Sequence, residues 1–208
     1  MQSVWNFLVK PIDDRYDNSI KINNKDLILN TSIESFKFIS RRAIVISVPK
    51  AFDTAINKGD EIIIHHNVFR RYYNMKNEAV DSSKKFTNDL FFCQPDQIYL
   101  YKKENKWNSF GDRCFIIPIK DKSSLTLEKE QKNIGILKYG NKLLEVQGIS
   151  EGDLVGVASN REFEFIIDNT RLYCLHVDDI LIKYEYKGNE EEYNPSWAES
   201  SGGVNQGC

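Results

Sequence analysis

The sequence predicts an all-β protein of two tandem small β-barrels, with long loops and a flexible C-terminal tail. Short apolar or alternating runs bounded by turn residues dominate the chain. No amphipathic helix longer than about two turns can be traced. An ordered set of short motifs also occurs twice, as expected of a duplicated unit.

The strand candidates are Ala43–Val48, Glu61–His66, Leu90–Cys93, Ile98–Tyr101, Cys114–Ile119, Leu154–Ala158, Glu162–Ile167, Arg171–Leu175 and Ile180–Tyr184. Ile, Val, Tyr and Phe recur in them, and branched and ring side chains pack well on a pleated surface. Glu162-Phe163-Glu164-Phe165 alternates cleanly, which gives one wet and one buried face.

The repeat sets the domain boundaries. Lys58-Gly59-Asp60 before Glu61–Ile64 recurs as Glu151-Gly152-Asp153 before Leu154–Val157. Phe91-Phe92-Cys93 before Asp96-Gln97-Ile98 recurs as Leu172-Tyr173-Cys174 before Asp178-Asp179-Ile180, and Asp14-Arg15 is matched to Asp112-Arg113. The expected units are residues 1–103, with a mobile loop over about 17–40 and an insertion over 68–89, and residues 110–187. From residue 188 the composition shifts to Glu190-Glu191-Glu192 and Ser200-Ser201-Gly202-Gly203. That stretch, 188–208, is expected to be a flexible tail because it has little apolar surface to bury. Pro195-Ser196-Trp197 is the one possible docking anchor in it.

Composition narrows the function classes. Hydrophobic residues make up 41% and charged residues 28%, a balance that buries a core. The net charge of −2 gives no global attraction to nucleic acid or an anionic membrane. No apolar run reaches the roughly 18–20 residues that span a bilayer, and no signal peptide is expected at the start. The cysteines, Cys93, Cys114, Cys174 and Cys208, lack paired spacing, so reduced thiols in a cytoplasm are expected. Phosphate loops, nucleophile elbows and metal-ligand spacings are all missing from the sequence, so no catalytic residue, metal site or cofactor is assigned. His65 and His66, as neighbours in a strand, are expected on opposite faces. The aromatic and basic residues of 68–89, among them Arg70, Arg71, Tyr72, Tyr73, Lys84 and Lys85, fit a solvated hairpin or lid better than a nucleic-acid site.

Lys10-Pro11-Ile12-Asp13-Asp14-Arg15-Tyr16, Arg42–Val48, Gly59-Asp60-Glu61–Ile64 and Asp96–Leu100 stand in one order. Gly111-Asp112-Arg113–Ile117, Ile134–Asn141, Glu151–Val155 and Val177–Ile182 follow in the same order. Over roughly residues 7–187 this pattern resembles the GroES family of co-chaperonins, particularly the divergent versions of tailed phages. The chain departs from the family in carrying two units, in Lys25-Asp26 where the family has Gly-Gly, and in segment 68–89 and the tail. The resemblance implies a non-enzymatic, homo-oligomeric ring that caps a GroEL-type chaperonin in the cytoplasm, the host's if the chain is phage-encoded. It also implies an apolar tripeptide on a mobile loop, which here is Leu27-Ile28-Leu29, with Leu125 and Leu127 as a possible second loop contact. The alternative reading is a phage virion or assembly structural protein built on the same barrel.

Leu27-Ile28-Leu29 sits among Asn, Lys, Asp and Ser. It is either an anchor buried only in a partner or a short strand in the barrel's own sheet. Burying three such side chains contributes roughly 4–9 kcal/mol, while ordering loop backbone costs about 1–2 kcal/mol per residue. A single loop is therefore a weak anchor, and several loops on one ring gain roughly 10²–10⁴-fold in avidity.

Overall fold

The computed structural model of the chain describes residues 2–16, 19–22, 25–28, 36–122, 130–185 and 188–199. Strand makes up 48% and helix 11%, so the fold is nearly all-β, in antiparallel sheets. The chain divides into two compact units, Met1–Lys106 and Trp107–Cys208.

The first unit contains β1 (Phe7–Pro11), β2 (Ser19–Ile22), β3 (Lys25–Ile28), β4 (Arg42–Ser47) and β5 (Glu61–Ile64). It continues with β6 (Arg71–Tyr73), β7 (Ala79–Asp81), β8 (Lys85–Thr87), β9 (Leu90–Cys93) and β10 (Ile98–Lys103). Then β11 (Lys106–Ser109) carries the division between the units. The second unit contains β12 (Arg113–Lys120), β13 (Glu130–Tyr139), helix α1 (Lys142–Val146), β14 (Leu154–Val157), β15 (Phe163–Ile167), β16 (Thr170–His176), β17 (Ile180–Lys183) and helix α2 (Ser196–Glu199). All nine strands expected from the sequence are present.

The two units share one strand order. In the first it is β8-β9-β1-β4-β5-β10, and in the second β15-β16-β12-β13-β14-β17. The same hydrogen bonds recur with it. Gly59 N–H donates to Val45 O and Gly152 N–H to Leu137 O, both at 2.8 Å. Val45 N–H donates to Asp60 O at 3.0 Å, and Leu137 N–H to Asp153 O at 2.9 Å. The carboxylates of Asp60 and Asp153 accept from the backbones of Asn57 and Ser150 at 2.8 and 2.7 Å. The repeated Gly-Asp is therefore a turn that latches β4 to β5 in the first unit and β13 to β14 in the second. Gly59 and Gly152 have φ of +94° and +93°, which side-chain-bearing residues rarely adopt. A Cβ at either position would meet nothing within 4 Å. Gly59→Ala and Gly152→Ala are thus expected to cost about 1–2 kcal/mol each through backbone strain alone. Equal losses in chemical denaturation would check that, and a neutral result at either glycine would refute it.

The cysteines fix the alignment of the repeats. Phe7 lies opposite Cys93, and Phe115 opposite Cys174, in the same strand pairing. Burial suits these small apolar thiols, and it pushes the Cys93 and Cys114 thiols above their ordinary range. The match of Asp14-Arg15 to Asp112-Arg113 does not survive this register. Asp112 precedes β12, whereas Asp14 follows β1, and Lys10-Pro11 lie inside β1. The first unit begins its strand earlier than the dipeptide suggests, because Phe7, Leu8 and Val9 fill the core.

Each unit has its own core. Phe7, Leu8, Val9, Ile62, Ile63, Phe69 and Phe91 are buried in the first, with the Phe69 and Phe91 rings edge-on at 5.0 Å. In the second, Phe115 and Phe165 meet edge-on at 5.8 Å, beside a cluster of Cys114, Ile116, Leu137, Val155 and Leu175.

The expected flexible tail differs from the structure over its first part. Glu192 bridges Ile119, Tyr193 N–H donates to Pro118 O at 2.8 Å, and Ala198 is fully buried. The side chains that matter are Tyr193, Asn194, Trp197 and Ala198, which the charge run Glu190-Glu191-Glu192 obscures in the sequence. Residues 200–208 lie outside the described residues.

Candidate functional site

The connection from β1 to β4 carries the predicted tripeptide. Leu27 and Ile28 lie in β3, and among the described residues β3 pairs with β2 alone, with Ile20 opposite Leu27 and Ser19 opposite Ile28. This two-stranded ribbon is separate from the first unit's main sheet. Leu27 and Ile28 are thus in a strand, but not one of the main sheet. Leu29 lies outside the described residues, as do Leu125 and Leu127. By sequence position, Leu125 and Leu127 fall in the connection from β12 to β13, the counterpart of the one that carries Leu27.

Both legs of the first connection are pinned. On the outgoing leg, Arg15 Nε donates to Phe69 O at 2.5 Å and its Nη2 to Arg70 O at 3.1 Å. Arg15 also bonds the Asp81 carboxylate, and its guanidinium lies 4.8 Å from the centre of the Phe91 ring. Next to it, the Tyr16 hydroxyl accepts from the Arg71 backbone at 2.7 Å. Segment 68–89 is therefore the bracket for this leg, and β6 and β7 pair within it.

Asp81 is the hub of the bracket. It takes Arg15, Arg71 at 3.3 Å and Lys85 at 2.5 Å. Burial works to raise its carboxyl, but hydrogen bonds from Lys85 and Arg15 outweigh that and hold it well below the usual carboxylate range. Lys84 Nζ donates to Gln94 Oε1 at 2.6 Å.

On the returning leg, Ile39 is buried and bridges Tyr16, while Ser40 N–H donates to Arg15 O at 3.1 Å. Phe36 sits 5.7 Å from His66, which stacks on His65 at 4.3 Å. The histidines do not point to opposite faces as expected, because β5 ends at Ile64 and a 3₁₀ turn begins at His66. Arg41 is only 2% exposed and meets His66 Nδ1 at 3.0 Å. Arg41 O also accepts from Ile64 N–H at 2.9 Å.

Burial first, and then the positive neighbours His65, Arg41 and Arg70, lower the His66 pKa to about 3. A depressed histidine leaves the unfolded chain binding more protons below its ordinary value of about 6.5. Stability is therefore expected to fall as pH drops from about 6.5 towards 3. His66→Asn keeps an acceptor for Arg41 without titrating. Urea midpoints should decline between pH 7 and 5 in the native chain and stay nearly level in His66→Asn. Parallel declines would refute the assignment.

The pairings of Arg15 with Asp81 and of Arg41 with His66 escape sequence reasoning, since the partners are distant in the chain. Their only advance signals are the Asp-Arg dipeptide at Asp14-Arg15 and the i,i+4 spacing of Asp81 and Lys85. No known protein family and no curated protein matches the chain.

Proposed function

We propose that this chain is a non-enzymatic docking protein of co-chaperonin type, which caps a GroEL-type chaperonin and assists folding there. The observation that supports it is the ribbon of β2 and β3. It carries Leu27 and Ile28, pairs only with itself among the described residues, and is flanked by two legs fastened to the rest of its unit. Such an element presents an apolar segment to another molecule while keeping the origin of that segment fixed.

Leu27-Ile28-Leu29 is the contact in this reading, and Leu125 and Leu127 make a second, weaker one. Several chains assemble as a ring, which turns weak single contacts into a strong but releasable cap. Two units per chain mean that a ring of n chains displays 2n copies of the duplicated unit. The site of action is the cytoplasm. Among the described residues no helix is long and apolar enough to cross a membrane.

Refolding assays test this function. Adding the chain to a chaperonin with ATP is expected to raise the yield of a stringent client. No stimulation, together with recovery of the chain from purified virus particles, would favour the structural-protein alternative instead.

A further inference from the structure

We propose that residues 190–198 are a detachable strap, held in cis, which closes a strand-docking groove between β12 and β16. The groove exists because those two strands part company. Their pairing runs from Arg113 opposite His176 to Ile116 opposite Tyr173, and stops there. β12 nevertheless continues to Lys120, and β16 begins as early as Thr170. Pro118 explains the parting. It has no N–H to give across the gap, and proline within a paired strand ends the ladder on that side. The strands diverge where the ladder fails and leave main-chain groups that need partners.

The C-terminal segment satisfies those groups on both walls. On β12, Tyr193 N–H donates to Pro118 O and Lys120 N–H donates to Glu191 O, each at 2.8 Å. On the other wall, Arg171 N–H donates to Asn194 Oδ1, and Asn194 Nδ2 donates to Asn169 O, both at 3.0 Å. The Arg171 guanidinium lies 5.9 Å from the Tyr193 ring and 5.8 Å from the Trp197 ring. This is strand addition: backbone bonds give the hold, and Tyr193, Asn194 and Trp197 give the register.

The hold is local. Glu191 and Glu192 are exposed, Trp197 is 51% exposed, and Ala198 is the one fully buried side chain of the segment. The core of the second unit, Phe115 with Phe165 and the cluster around Cys114, is built without it. Release of the strap therefore opens an acceptor edge at the foot of the 121–129 connection and leaves the unit folded.

Hydrogen exchange on the full chain tests this, with Asn194→Ala and Trp197→Ala combined. The reporter is the Lys120 amide, whose acceptor is the Glu191 backbone and is untouched by either substitution. It is expected to exchange roughly tenfold faster or more, while amides of Cys114–Ile116 keep their protection. A synthetic peptide of residues 188–199, in millimolar excess, should restore protection at Lys120. Native protection in the variant would overturn the strap. Loss of protection through Cys114–Ile116 would show an integral part of the fold, and a peptide without effect would show that the groove does not accept a strand. Either result also overturns the proposal.

Discussion

Replacing Leu27, Ile28 and Leu29 together by serine is expected to abolish the proposed capture of a GroEL-type chaperonin and to leave the circular-dichroism spectrum unchanged. The expected loss in apparent affinity is at least about 100-fold, because in the proposed ring each subunit's weak contact would be multiplied. Three apolar side chains bring roughly 4–9 kcal/mol of gross burial. Against this stands the ordering of the loop, about 1–2 kcal/mol per residue. The pairing of β2 with β3 prepays part of that cost, since Lys25–Ile28 already has a strand partner in Ser19–Ile22. The fold should tolerate the change because, among the described residues, β3 makes no pairing with the main sheet. Full retention of binding by the folded triple variant would remove these residues from the docking role.

Arg171→Met destabilises the second unit by about 3–5 kcal/mol, read as a lowered denaturant midpoint. Arg171 is 11% exposed and bonds both Glu130 and Glu164, whose side chains are 28% and 14% exposed. It also donates to the Tyr173 hydroxyl at 2.6 Å, which in turn donates to Glu130 at 2.9 Å. Burial raises the Tyr173 hydroxyl above its ordinary value against the opposing Arg171 charge, so it stays protonated and able to donate. Methionine keeps most of the volume but strands two largely covered carboxylates that had shared one guanidinium. Adding Glu130→Gln and Glu164→Gln should restore part of the loss. A loss below about 1 kcal/mol in the single variant would contradict the buried-network account.

What the sequence could disclose depended on the range of each interaction. The nine strands rest on local alternation and β-branched residues, and the Gly59-Asp60 and Gly152-Asp153 turns on local conformation. Both were legible for that reason. β1 is absent from the sequence expectations because Phe7-Leu8-Val9 precedes the Asp14-Arg15 dipeptide used to align the repeats. β13 was not singled out because Glu130–Lys132 masks the apolar run after it. The brackets around the candidate site were illegible for another reason. Arg15 finds Asp81, and Arg41 finds His66, across 66 and 25 residues of chain. No spacing rule links such pairs. The proposed strap is hidden for a similar reason, since three successive glutamates indicate solvent, whereas Asn194 bonds Arg171 and Asn169, more than twenty residues back in the chain.

Electron microscopy of a purified GroEL-type chaperonin mixed with this chain and ATP puts the docking function to the sharpest trial. A dome of added density at one or both ends of the cylinder is the predicted image, and it should vanish with the triple serine variant. Bare cylinder ends, with the chain remaining unassociated at saturating concentration, would contradict it.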